Sequence, residues 1–160
     1  MRGWIAIVAV GVLGCGKKVE TAAPIGGPAA VAAAFMRAVT DSNLTQMAEL
    51  WGSARGSAVA TGAPNDWQRR VVVMQLYLRG GAARVHDAGL PGTPDRRELM
   101  VELTRAGCTR QVPFTMVRTK DGAWLVNAVD LNAAGNPAKP CDRPAPPSQE
   151  AWEPGRAADG

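Results

Sequence analysis

A chain of 160 residues, 46% hydrophobic and 20% charged, has the length for one domain with a real core, and its composition excludes a disordered or fibrous protein. Its formal charge of +4 rests on scattered residues, among them Arg69-Arg70, Arg96-Arg97, Arg105 and Arg110. No basic stripe interleaved with aromatics is present, so nucleic acid is excluded as a partner. His86 is the only histidine beside three cysteines, which makes a poor ligand set for a metal, and no cofactor is implied.

The first predicted element is a leader. Arg2 opens it, and an unbroken apolar stretch runs from Trp4 to Gly14, ahead of Cys15 and the charged Lys17-Lys18. About eleven residues of helix at ~1.5 Å each cover roughly half of a ~30 Å hydrocarbon core, too little for a stable span. A basic start, a short apolar middle and a small residue before the break are the marks of an export signal.

The residues at the break, Val12-Leu13-Gly14-Cys15, resemble the lipobox of bacterial lipoproteins. Gly14 and Cys15 match its usual form, Leu-(Ala/Ser)-(Gly/Ala)-Cys, while Val12 and Leu13 depart from it. The resemblance implies that residues 1–14 are a signal peptide and that Cys15 becomes the first residue of the mature chain, its thiolate carrying a diacylglyceryl group as a thioether. It also implies a partner, the membrane, held stably once two or more acyl chains are present. Gly16 stands where an aspartate would signal inner-membrane retention. The implied location is therefore the cell envelope, on the outer membrane facing the periplasm if the host has two membranes. An ordinary secretion signal with an incidental cysteine is the alternative.

With Cys15 given to lipid, Cys108 and Cys141 remain as a pair in an oxidising compartment. A disulfide between them would close a loop of about 34 residues, worth roughly 3 to 4 kcal/mol on the chain-entropy model. Two free thiols are the alternative.

Residues 15–28 mix glycine, proline and charge without periodicity and read as a flexible tether, with the folded domain expected over 29–131. Pro28 suits a first helical turn, and Val31, Phe35, Ala38 and Val39 then share one face, which predicts a first helix. Asn43 and Gln46 have capping-box spacing ahead of Leu44, Met47, Leu50 and Trp51, which predicts a short second helix. Residues 52–66 hold three glycines and a proline and read as a long loop. Trp67, Val71, Met74 and Leu78 predict a third helix, capped at Asn65 or Asp66 and stopped by Gly80-Gly81.

Beyond Gly81 the period becomes two. A short strand is predicted over Ala83 to Ala88, then a turn at "GLPGTPD". In "ELMVELTR", Leu99, Val101 and Leu103 oppose Glu98, Glu102 and Thr104; in "QVPFTMVRT", Val112, Phe114 and Met116 oppose Pro113, Thr115 and Val117. Lys120-Asp121-Gly122 makes a hairpin turn into "AWLVNAVDL". Apolar residues on both faces of the last two strands imply helices on one side and an interior on the other. Pro113 implies an edge or a bulge. From Asn132 onward the tail is rich in proline and alanine, with order expected at most to about Cys141 and a lone Trp152 beyond.

Three helices before a four-stranded antiparallel meander make an α+β domain. This order, with the helix around Phe35, "NLTQMAELW", the helix from Trp67 and the hairpin "VRTKDGAWLVNAVDL", resembles the nuclear transport factor 2-like fold, a cone of curved sheet around a long helix. A cystatin-like sheet embracing one helix is the competing architecture. The resemblance implies a cone-mouth cavity, for which Phe35, Trp51, Trp67, Met74, Phe114 and Trp124 are the candidate lining; core packing is their plainer role.

Some members of that superfamily are isomerases or dehydratases, which need a desolvated carboxylate or histidine base and an oxyanion donor. The carboxylates Asp87, Glu98, Glu102 and Asp130, with His86 and Tyr77, are the residues to consider, and none is assigned a catalytic role. His86 and Asp87, adjacent in a strand, point to opposite faces. The expected function is that of an anchored, non-catalytic domain binding a small apolar ligand, a peptide or an envelope protein, with an isomerase or dehydratase as the alternative.

Overall fold

The computed structural model describes residues 26–87 and 93–142. The leader, Cys15, most of the tether, the Ala88 end of the first predicted strand and Trp152 lie outside them.

Helix α1, Pro28–Thr40, starts on a proline whose missing N–H is one of the donors a first turn leaves over, and six of its residues are alanine. Val31, Ala32, Ala34, Phe35, Met36, Ala38 and Val39 are all buried, so the helix is covered on nearly every side. It touches β3 (Ala82–His86), β4 (Arg96–Arg105), β5 (Cys108–Arg118) and β6 (Trp124–Val129) on one side, and α2 (Leu44–Leu50) and α4 (Trp67–Leu78) on the other. Its small side chains permit that close approach from two layers.

The capping box ahead of α2 forms only by half. Asn43 Oδ1 accepts from the Gln46 amide at 3.0 Å, but the Asn43 amide donates to the Ala38 carbonyl at 2.9 Å and is not open to a reciprocal bond. The stripe is also shorter than expected. Leu44 is exposed, and Trp51 leaves the helix in an extended conformation to bridge Val126 of β6.

The described residues form an α+β structure with a four-stranded antiparallel sheet in the order β3-β4-β5-β6. Its inner row sets Leu99 opposite Phe114, Val101 opposite Val112 and Phe114 opposite Val129; Leu99, Val101, Val112 and Phe114 are fully buried, Val129 only partly. The period-two alternation of β4 and β5 is thus realised. Their other face differs from expectation: Pro113, Thr115 and Val117 are half-exposed outer surface, because the helices touch the sheet through its inner row.

Pro113 lies in a central strand, not at an edge. Its carbonyl accepts from the Asp130 amide at 3.0 Å, just past the last residue of β6, so its missing donor falls where that ladder has ended. The irregularity in the β5–β6 pairing comes two residues later, between Thr115 and Met116.

The helix count differs from the three expected. The region 52–66 contains a two-residue hairpin, β1 (Gly52–Ser53) with β2 (Gly56–Ser57), and a single-turn helix α3, Ala58–Thr61. Ser57 Oγ accepts from the Ala60 amide and caps α3, while Gly62 at φ 62° ends it. A second single turn, α5 (Leu131–Ala134), is capped by Asp130, whose carboxylate accepts from the Asn132 and Ala133 amides at 3.0 Å each. Four residues are too few to display a helical period.

Arg105, 6% exposed, is the buried polar residue of the described core. Its Nη2 donates to the Tyr77 carbonyl in the last turn of α4, where a cation meets the negative end of the helix. Burial, and then the nearby Arg110, push its pKa down from the usual arginine range. Gly81 packs against the stem of this side chain: a Cβ there would lie 2.7 Å from Arg105 Cγ and 2.8 Å from the Thr104 carbonyl oxygen. Gly81→Ala is therefore expected to lower stability by about 1–3 kcal/mol, read as a drop in denaturation midpoint, since backbone stands in the way.

Cys108 and Cys141 are joined, with Cα atoms 5.4 Å apart. Arg110 adds a second tie by donating Nε and Nη2 to the Pro140 carbonyl at 3.2 and 3.0 Å. Together they hold the segment after α5 against the start of β5.

Candidate functional site

A cleft of about 350 Å³ opens between α4, the end of β6 and the start of α5. Trp51 and Met74, both buried, form its floor, and Val73, Val129 and Leu131 extend the apolar wall. The Trp51 indole N–H donates to the Asn127 carbonyl at 3.1 Å, and Asn127 Nδ2 donates to the Gly52 carbonyl at 2.8 Å. This reciprocal pair holds the tryptophan against the β6 edge and satisfies polar groups that would otherwise face an apolar recess.

Asp66, Arg69 and Arg70 form the rim at the N-terminus of α4. Asp66 stands at the cap position but makes no capping bond; its carboxylate accepts from Arg70 Nε at 2.9 Å. That hydrogen bond holds the carboxyl below its ordinary range, so it is an ion at neutral pH and a weak base. By linkage, the small stabilisation from this exposed pair is present above the unfolded-state pKa and is lost as pH falls through the lower folded-state value. Two arginines facing one committed carboxylate leave the rim net positive.

Of the six residues expected to line a pocket, the cleft brings together Trp51 and Met74. Phe35 and Phe114 meet each other in the core, edge to face with centroids 6.1 Å apart. Trp67 and Trp124 are partly buried against that core. The acid–base candidates lie elsewhere. His86 Nε2 is 3.8 Å from Glu102 Oε2, which also accepts from Gln111 at 3.3 Å, on an exposed part of the sheet. Glu98 is exposed on β4, Asp87 is exposed just past β3, and Asp130 caps α5. Tyr77 contributes its backbone carbonyl to Arg105.

A second depression, about 560 Å³, lies beside the β5–β6 turn and is lined by Asp95, Val117, Arg118 and Lys120 among others. None of its lining residues is buried, so it has no apolar floor. Among the described residues no three of His, Cys, Asp and Glu gather where one metal ion would fit, and no helix is long and apolar enough to cross a membrane. Comparison with family models, with curated proteins and with solved structures returned no match.

Apart from Trp51 and Met74, the residues of the cleft, among them Arg69, Val73, Asn127 and Leu131, were not legible as such in the sequence. Asn127 carried a signal, being the one polar side chain within the apolar run "WLVNAV". A polar group there calls for a partner, which Gly52 provides.

Proposed function

We propose that this chain is an envelope lipoprotein anchored through Cys15, with a non-catalytic domain of nuclear transport factor 2-like build that receives a small apolar ligand in the cleft between α4 and β6. The observation that carries the binding reading is the recess itself: an apolar floor of Trp51 and Met74 under a positively charged rim. A ligand with an apolar body and an anionic end fits that division. The carboxylate on the rim is a committed ion, which disfavours acid–base chemistry in the cleft. The anchor is supported by the Gly14-Cys15 junction behind a short apolar run, and Gly16 favours the outer membrane over the inner in a two-membraned host.

The binding reading is tested by titrating the protein with 1-anilinonaphthalene-8-sulfonate, an apolar body with an anionic end, while following its own fluorescence. Saturable one-site binding in the micromolar range, about −8 kcal/mol, is expected, together with a raised melting temperature in the probe's presence. Ala128→Trp, which fills the cleft from an exposed position, should abolish it. Unchanged binding by that variant would overturn the cleft as the site. For the anchor, Cys15→Ser should move the chain from the membrane fraction to the soluble one and remove the mass of the acyl chains; no change in either refutes it.

A further inference from the structure

Helix α4 is apolar on two opposite sides. Val71, Met74 and Leu78 face the core, while Val72, Val73 and Leu76 point away from it, with Val72 49% and Leu76 42% exposed. Exposed large apolar side chains among the described residues are Leu44, Val59, Val72, Val73 and Leu76, so the majority belong to this one helix face and are not scattered. At helical spacing the outer stripe reads Arg69, Val72, Val73 and Leu76, and Arg79 follows at the C-cap just past the helix: arginines at both ends and aliphatics between. The acidic residue beside the stripe, Asp66, is bonded to Arg70.

We propose that this outer face of α4 docks on an anionic lipid surface. An apolar strip flanked by cations is the pattern of a helix lying in a membrane interface, with aliphatics below the headgroups and guanidinium groups on the phosphates. The proposal rests on the reading of the chain as anchored, which supplies the lipid. The stretch from Cys15 to Pro28 spans at most roughly 47 Å, so the domain never leaves the vicinity of the bilayer, and a face that binds only weakly from solution is engaged at high effective concentration. Arg69 and Val73 belong to the cleft as well, so docking brings the mouth of the cleft to the lipid.

The test uses the full chain carrying Cys15→Ser, so that no acyl chain contributes, mixed with vesicles of phosphatidylcholine alone or with about one-third phosphatidylglycerol, and read by co-sedimentation. Binding should favour the anionic vesicles and weaken as salt shortens the ~10 Å screening length of 0.1 M solution. Adding Val72→Glu and Leu76→Glu should reduce it at least about tenfold, since each charge near the surface is worth roughly fivefold. The leader is common to both chains and cancels in the comparison. Arg69→Gln with Arg79→Gln, at exposed positions, should weaken binding without changing the melting temperature, which keeps the test sound if the glutamate variant folds poorly. Equal sedimentation of these variants and their parent, or equal binding to both vesicle types, overturns the proposal. So does a concentration-dependent dimer that Leu76→Glu dissolves, since a second copy then covers the face. Membrane retention of the chain with Cys15 intact, compared with Cys15→Ser, reports on the anchor alone.

Discussion

Phe35→Ala is expected to lower the unfolding free energy by about 3–5 kcal/mol, a large share of the roughly 5–15 kcal/mol by which domains are held folded. Phe35 is fully buried at the centre of α1 and meets the equally buried Phe114 edge to face. The alanine leaves a void between a helix and a sheet, neither of which can move in to fill it, since α1 is packed on both sides. A double-mutant cycle with Phe114→Ala should return a coupling of about 0.5–1.5 kcal/mol for the ring pair. Urea denaturation of the four proteins measures both quantities. Strict additivity would show that the rings fill space without interacting.

Loss of the disulfide is expected to cost about 3–4 kcal/mol, because the bond closes a sequence separation of 33 residues and so restricts the unfolded chain. For a domain of this size each kcal/mol moves the melting temperature by about 4–8 °C, so reduction should lower it by more than about 10 °C. Cys108→Ser, Cys141→Ser and the double variant should suffer alike, since each removes the same crosslink. The folded body should remain, as β5 keeps its pairing with β4 and β6 and Arg110 keeps its hold on Pro140. A melting temperature insensitive to reductant would contradict this account.

The strands were legible because alternation over eight or more residues is hard to mistake. Leu99, Val101 and Leu103, with Val112, Phe114 and Met116, all reached the core. Helix α1 was legible from its alanines and Pro28, and α4 from Trp67, Val71, Met74 and Leu78. Pro113 misled because its effect depends on where the neighbouring strand stops, which no local pattern encodes. The single-turn helices α3 and α5 hide for want of length, although Ser57 and Asp130 are the residue types that cap them. The cleft was half legible: Trp51 and Met74 stood out as large apolar residues, but Arg69 read only as one of several scattered cations. Its role depends on β6 and α5 arriving beside α4 from more than fifty residues away.

The central position of α1 also bears on how the chain comes to fold. Its neighbours α2 and α4 follow it in the chain, but β3 to β6 come later still, so a nascent segment ending before Trp124 lacks one of the four strands that cover that helix. Contacts so distant in sequence make acquisition of structure slow and nearly all-or-none. The cover over that helix is accordingly closed only when the last strand has been made.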